Sequence, residues 1–222
     1  LALPVTDHEN RLVGIVTVDD IIDVIEDAFT EDVHKMATVG ELNTNILHAS
    51  PMLLLKSRLP WLLILFFVNV ISGAGMAYFK TTIQSVVALV FFLPLLIDSA
   101  GNAGSQSSAL IIRSIAVGDV DLSDWWKLLR KELLVAIPLG AILGAASYLI
   151  GMIRAGLGVA LVVAASMCMI VLGGSLIGLG LPFLLKRLKL DPATASGPLV
   201  TSICDIMGVM IYFSIASWYF GL

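Results

Sequence analysis

Five stretches of this chain are too apolar and too long to have water as their solvent. They lie at about 59–79, 85–115, 132–153, 156–184 and 192–220. A helix rises about 1.5 Å per residue, so about 20 residues cross the hydrocarbon core of a bilayer. Composition agrees, with 58% hydrophobic and only 14% charged residues among 222. A soluble domain is about 45–50% apolar and about 25% charged. A single soluble core of this size could not hide that apolar surface. A soluble enzyme, a disordered chain and a fibrous repeat are therefore excluded. The net charge of −4 and the scattered bases offer no field for nucleic acid. Cys168 and Cys204 fall inside apolar runs and read as small buried thiols. With neither a nucleotide-binding loop nor a catalytic constellation in the sequence, the reading is not an enzyme.

The first 50 residues have a different character. Ala2–Thr6 and Leu12–Thr17 are β-branched and apolar around the polar turn Asp7-His8-Glu9-Asn10, which reads as a β-hairpin. From Val18 the period becomes helical, with Ile21, Ile22, Ile25 and Phe29 on one face. Seven acids and no base lie between Asp19 and Asp32. Asp20, Asp23, Asp27 and Glu31 form one stripe, either a solvated face or one bridged by cations, since like charges at this spacing destabilise a helix. The chain opens on Leu1 without a recognisable signal peptide, and the expectation is a fragment cut inside a soluble domain. With the acidic helix set inside the cell, eleven bases fall on the inside and only Lys80 and Arg154 outside. That bias places the N-terminus in the cytoplasm and, after five spans, the C-terminus outside. The fold class is an all-α polytopic membrane protein with five transmembrane helices per subunit, located in the cell (inner or plasma) membrane.

Two GxxxG steps, Gly140–Gly144 and Gly174–Gly178, read as helix-packing sites. The polar residues inside the spans concentrate in two places. Asp98, Asn102 and Gln106, each four apart, share one helical stripe, with Arg113 seven further on. Thr201, Asp205, Gly208 and Tyr212 share a face of the fifth span. A central Asp facing lipid costs about 2.5–3.5 kcal/mol, so these residues should face the bundle interior or a watery path. Their hard oxygen donors suit Mg²⁺, Ca²⁺ or Mn²⁺, and so few carboxylates suit Mg²⁺ best, since it keeps several waters. Structural hydrogen bonding remains the competing role for Asp205, as does interhelical bonding for Asn102 and Gln106. Gly197-Pro198 is expected to free backbone carbonyls early in the fifth span.

Four motifs, in order, resemble one family. Pro94-Leu-Leu-Ile-Asp-Ser-Ala-Gly-Asn-Ala-Gly-Ser-Gln-Ser with Ile112-Arg113 resembles the second-span signature of the MgtE magnesium channels. Leu190-Asp-Pro-Ala and Gly197-Pro-Leu-Val-Thr-Ser-Ile-Cys-Asp-Ile-Met-Gly208 resemble their fifth-span signature. Leu3-Pro-Val through Gly14-Ile-Val-Thr-Val-Asp-Asp is similar to the end of their second CBS domain, and Thr30-Glu-Asp-Val-His-Lys to their plug helix. The resemblance implies a CBS fragment at 1–27, an acidic plug helix and linker at 28–55, and a pore domain at 56–222. It implies a homodimer in the lipid bilayer with a Mg²⁺-selective, channel-like pore on the two-fold axis. Asp205 and the carbonyl of Thr201 would hold the ion, with Asn102, Gln106, Asp98 and Gly208 lining the path. Asp20, Asp23, Glu31 and Asp32 match positions that bind regulatory Mg²⁺ and gate the full-length proteins. Ala28 departs from an acid found in some members, and Asp98 from a small residue. The alternative is a cation- or proton-coupled secondary transporter using Asp98 and Asp205.

Overall fold

The computed structural model describes residues 2–40 and 46–222; Leu1 of the 1–27 segment and residues 41–45 of the 28–55 linker lie outside the described residues. Strands β1 (Ala2–Thr6) and β2 (Leu12–Thr17) pair antiparallel, with Ala2 opposite Thr17. Asp7 closes the turn by accepting the N–H of Glu9 at 2.8 Å and of Arg11 at 2.9 Å. Helix α1 (Val18–Met36) follows directly and runs unbroken across the expected 27/28 boundary. Its start is a reciprocal cap, in which Asp20 Oδ2 accepts from the Thr17 N–H at 2.7 Å and its hydroxyl at 2.6 Å.

Five helices then cross the bilayer by length and composition: α2 (Pro51–Tyr78), α4 (Leu93–Ala116), α5 (Trp125–Ala155), α6 (Leu157–Arg187) and α7 (Gly197–Phe220). Short α3 (Lys80–Ser85) links α2 to a 3₁₀ turn, Val87–Phe92, that leads into α4. Two boundaries differ from the apolar runs for clear reasons. Ser50 caps α2 and Pro51 fills its first turn, so the helix starts before Lys56 and Arg58 rather than at 59. The fifth helix starts at Gly197, not 192, because Asp191-Pro192 forms a separate 3₁₀ turn. The second span is not broken at its polar stretch, which is continuous helix; the irregularity lies at Val86–Phe92.

Helices α4, α6 and α7 form the core, around Leu96, Met167, Ile170, Val200 and Phe213. Helix α5 packs on α6, and α2 lies against α7 with most of its surface uncovered. Both GxxxG steps act as packing sites. Gly140 and Gly144 lie against the α6 backbone at Cys168 and Ala164. Gly174 and Gly178 face the carbonyls of Ala100 and Gly104 so closely that a Cβ on Gly178 would stand 2.0 Å from the Gly104 oxygen. That contact is backbone on backbone, and neither helix can retreat without opening the core.

Gly178→Ala should therefore destabilise the chain by at least the 1–3 kcal/mol typical of overpacking, read as a lower thermal midpoint in detergent. Gly73→Ala, where a Cβ meets nothing within 4 Å, should cause no loss.

Candidate functional site

Close approach to α6 fixes which way α4 faces. Ala100, Ala103, Gly104, Ser107 and Ser108 turn inward and are buried, so Asp98, Asn102 and Gln106 stand exposed on the opposite side, with Arg113 beyond them. Asn102 Nδ2 donates to Asp98 Oδ2 at 3.0 Å along the stripe. Elsewhere the exposed surface at membrane depth is mostly apolar, as at Phe66, Ile142 and Leu149, with isolated polar residues such as Asn69 and Ser214. A polar stripe here is therefore exceptional.

The start of α7 is pinned to α4. Ser196 caps it, its Oγ accepting the Leu199 N–H at 3.4 Å, and Gly197-Pro198 occupy the first turn, where a proline breaks no helical bond. The carbonyls expected to be freed have partners on α4. Ser108 Oγ donates to the Ala195 carbonyl at 2.7 Å, and Ser105 Oγ lies 3.4 Å from both the Gly197 carbonyl and Thr201 Oγ1. Thr201 rests on Gly101, where a Cβ would approach Thr201 Cγ2 to 2.9 Å. One turn further, Asp205 is half-buried, and its Oδ1 is buried without a hydrogen-bond partner. Thr201 and Asp205 thus sit one turn apart on α7, and Thr201 meets α4 at Gly101, three residues after Asp98. Gly208 turns into the bundle, where a Cβ would meet Ile97 and Ile170, and Tyr212 is fully buried, donating to the Leu89 carbonyl at 3.0 Å.

Among the described residues no three His, Cys, Asp or Glu side chains converge as a metal cage. The edge instead offers the half-buried Asp205, with an unpartnered oxygen, and the exposed Asp98. Mg²⁺ asks for no more than one or two carboxylates when it keeps its waters.

The acidic stripe on α1 divides. Asp20 is committed to the Thr17 cap, while Asp23 is exposed and Asp32 half-buried, neither with a hydrogen bond or ion pair among the described residues. Glu31 is bound by Lys35, which also donates to Asp191 Oδ2 at 2.6 Å, across 156 positions of sequence. The amine holds the end of α1 to the turn before α7. Gly40 N–H donates to the Ser57 carbonyl at 2.8 Å, tying the next residues to α2. Bonding to Asp191, then to Glu31, raises the Lys35 pKa. Partial burial opposes the Asp191 charge, but Lys35 and the Ala193 N–H outweigh it and hold that carboxyl below its usual range. Sequence reasoning missed this clamp. The Glu31–Lys35 half was legible as an i,i+4 pair, whereas nothing local links either residue to Asp191.

Comparison with known proteins decides the family. The profile of the MgtE divalent cation transporters matches residues 93–215, the stretch that contains the α4 stripe and Asp205. The chain belongs to the MgtE family. A CBS-domain profile matches residues 1–27. The chain is similar to proteins named magnesium transporter MgtE: 42% identical to that of Thermus thermophilus over 96% of this chain, and 38% to that of Bacillus subtilis over 98%. A third, from Enterococcus faecalis, is 36% identical over 99%. Each match covers 48% of the relative, so the chain spans about half the length of these MgtE proteins.

Lys35→Met should loosen α1 by about 1 kcal/mol, the upper range for a partly exposed ion pair, and speed hydrogen exchange at its last-turn amides about fivefold. Lowered Asp191 and raised Lys35 pKa values mean the clamp is complete at neutral pH. It fails as pH falls below the ordinary carboxylate range or rises beyond the ordinary lysine range. Protection factors of the same amides, corrected for intrinsic exchange, should then fall at those extremes in wild type and not in Lys35→Met.

Proposed function

We propose that this chain forms one half of a homodimeric, Mg²⁺-selective channel, with passive flow through a pore on the two-fold axis. The observation that carries this reading is the exposed stripe of Asp98, Asn102 and Gln106 beside the unpartnered Oδ1 of Asp205. A charged group turned to lipid at mid-span costs about 2.5–3.5 kcal/mol, whereas a second copy laid over this face would enclose a polar path. Around a two-fold axis one Asp205 per chain supplies two carboxylates, enough for a hydrated Mg²⁺. Thr201, one turn nearer the start of α7, supplies further oxygen, and Asn102 and Gln106 bond the ion's waters from α4. Gly208, three residues past Asp205, is buried against Ile97 and Ile170 and backs this wall from inside the bundle. The names of the three relatives support Mg²⁺ as cargo.

In this reading the N-terminus is cytoplasmic and the C-terminus outside, since the ends of α2, α4, α5 and α6 that share a side with α1 hold most of the bases. Residues 1–27 complete a CBS domain, 28–55 form the plug helix and linker, and 56–222 the pore. Asp20, Asp23, Glu31 and Asp32 bind cytosolic Mg²⁺ in the full-length protein and hold the pore closed. Asp20 and Glu31 must then release Thr17 and Lys35, or share them with the ion.

In liposomes loaded with a Mg²⁺ indicator, Asp205→Ala should lower influx at least tenfold while the helical signal is unchanged; undiminished influx overturns the pore assignment. Wild-type flux should be indifferent to an imposed pH gradient. Flux that tracks the gradient would assign a proton-coupled transporter working through Asp98 and Asp205.

A further inference from the structure

A groove of about 620 Å³ opens where the first turn of α5 meets the last turns of α6, on the side of the bilayer that α1 occupies. Gly180 leaves its wall open, since a Cβ there would meet only Trp125 Cη2, at 3.8 Å. Trp125 packs edge-on against Phe183 with ring centroids 5.3 Å apart, which fixes one side. Trp126 and Leu184 leave 68% and 52% of their surfaces uncovered, so the trough is apolar and open to the acyl region. Arg187 stands at its mouth.

The acids around that mouth are already committed. Asp121 pairs with Lys186, which also donates to the Val120 carbonyl at 3.2 Å, and Asp124 pairs with Lys127 at 2.9 Å. The Lys127 hydrogen bond holds the Asp124 pKa below its usual range, so that pair is ionic at neutral pH. Arg187 has no hydrogen bond or ion pair among the described residues. An apolar trough flanked by tryptophans, at the depth where such rings meet headgroups, ends in an unpaired guanidinium. Its chemical complement has an anionic head and a hydrocarbon tail.

We propose that this groove binds an anionic phospholipid, its phosphate on Arg187 and one acyl chain laid over Gly180 between Trp126 and Leu184. Charge decides the head: a zwitterionic lipid brings its own cation to the phosphate, whereas an anionic lipid leaves the phosphate to the guanidinium, which can grip it through two N–H groups. The site shares no residue with the proposed ion path and stands whether or not that path conducts.

Native mass spectrometry of the full chain, titrated in micelles with phosphatidylglycerol or phosphatidylcholine, tests it. Wild type should retain phosphatidylglycerol preferentially. Arg187→Gln should weaken that retention about fivefold, the effect of one base near a lipid surface, and leave phosphatidylcholine unchanged. Gly180→Leu should weaken retention of both lipids by filling the trough, and Arg154→Gln, at the far end of α5, should change neither. Undiminished phosphatidylglycerol retention by Arg187→Gln overturns the proposal, as does an equal loss from Arg154→Gln. So does displacement of the lipid by inorganic phosphate, or a second copy occupying the groove.

Discussion

Hydrocarbon offers no hydrogen bonds, and the rest of this structure follows from that. Every polar group carried into the bilayer must find its partner within the protein. Most do. The Ala195 carbonyl, left outside the helical ladder by the turn before α7, is taken by Ser108, and the buried Tyr212 hydroxyl reaches the Leu89 carbonyl in the 3₁₀ turn. Thr82 and Ser217 bond each other at 2.6 Å where α3 meets α7. Irregular backbone is tolerated at these points because serine, threonine and tyrosine side chains stand ready for it. Among the described residues, Ser107 Oγ, Ser166 Oγ and Asp205 Oδ1 are buried without a partner, and of these only Asp205 is a carboxyl group; the exposed α4 stripe departs from the rule as well.

The exceptions and the packing share a cause. The small residues of α4, from Ala100 through Ser108, let it lie backbone to backbone on α6 at Gly174 and Gly178. A helix that buries its small face so deeply has no freedom to turn its polar face inward as well. Asp98, Asn102 and Gln106 are held outward by the same contact that stabilises the bundle. The α4–α6 seam is thus what leaves the chain with a polar face that needs something polar alongside it.

Much of this was legible from the residues. Span number, the hairpin, the acidic helix and both glycine steps follow from periodicity and composition, because those signals repeat over many positions. The α4 stripe was legible as a set of residues four apart, since a continuous helix makes spacing into direction. What escaped is what depends on one residue or on distance. Gly197-Pro198 was placed a turn inside the fifth span, because hydropathy cannot distinguish an apolar cap from apolar helix. Gly208 and Tyr212 share a helical face with Asp205, yet both are buried while Asp205 is only half-buried. Spacing alone does not tell where along a face exposure stops. The Lys35–Asp191 bond joins residues with no local relation at all.

That bond has a consequence for coupling. Asp191 caps the 3₁₀ turn through the Ala193 N–H at 2.9 Å, and the turn's end is anchored by Ser108 to α4, two residues from Gln106. Lys35 therefore ties α1 to a short segment that touches both helices of the candidate path. A divalent ion on Glu31 would compete with the Lys35 amine for that carboxylate. Ion binding on α1 and the position of the turn before α7 would then be linked through a single ammonium group, with no hinge required between them. Coupling of this kind is reciprocal: any displacement of the turn that frees Lys35 from Asp191 would change the affinity of α1 for the ion by the same factor.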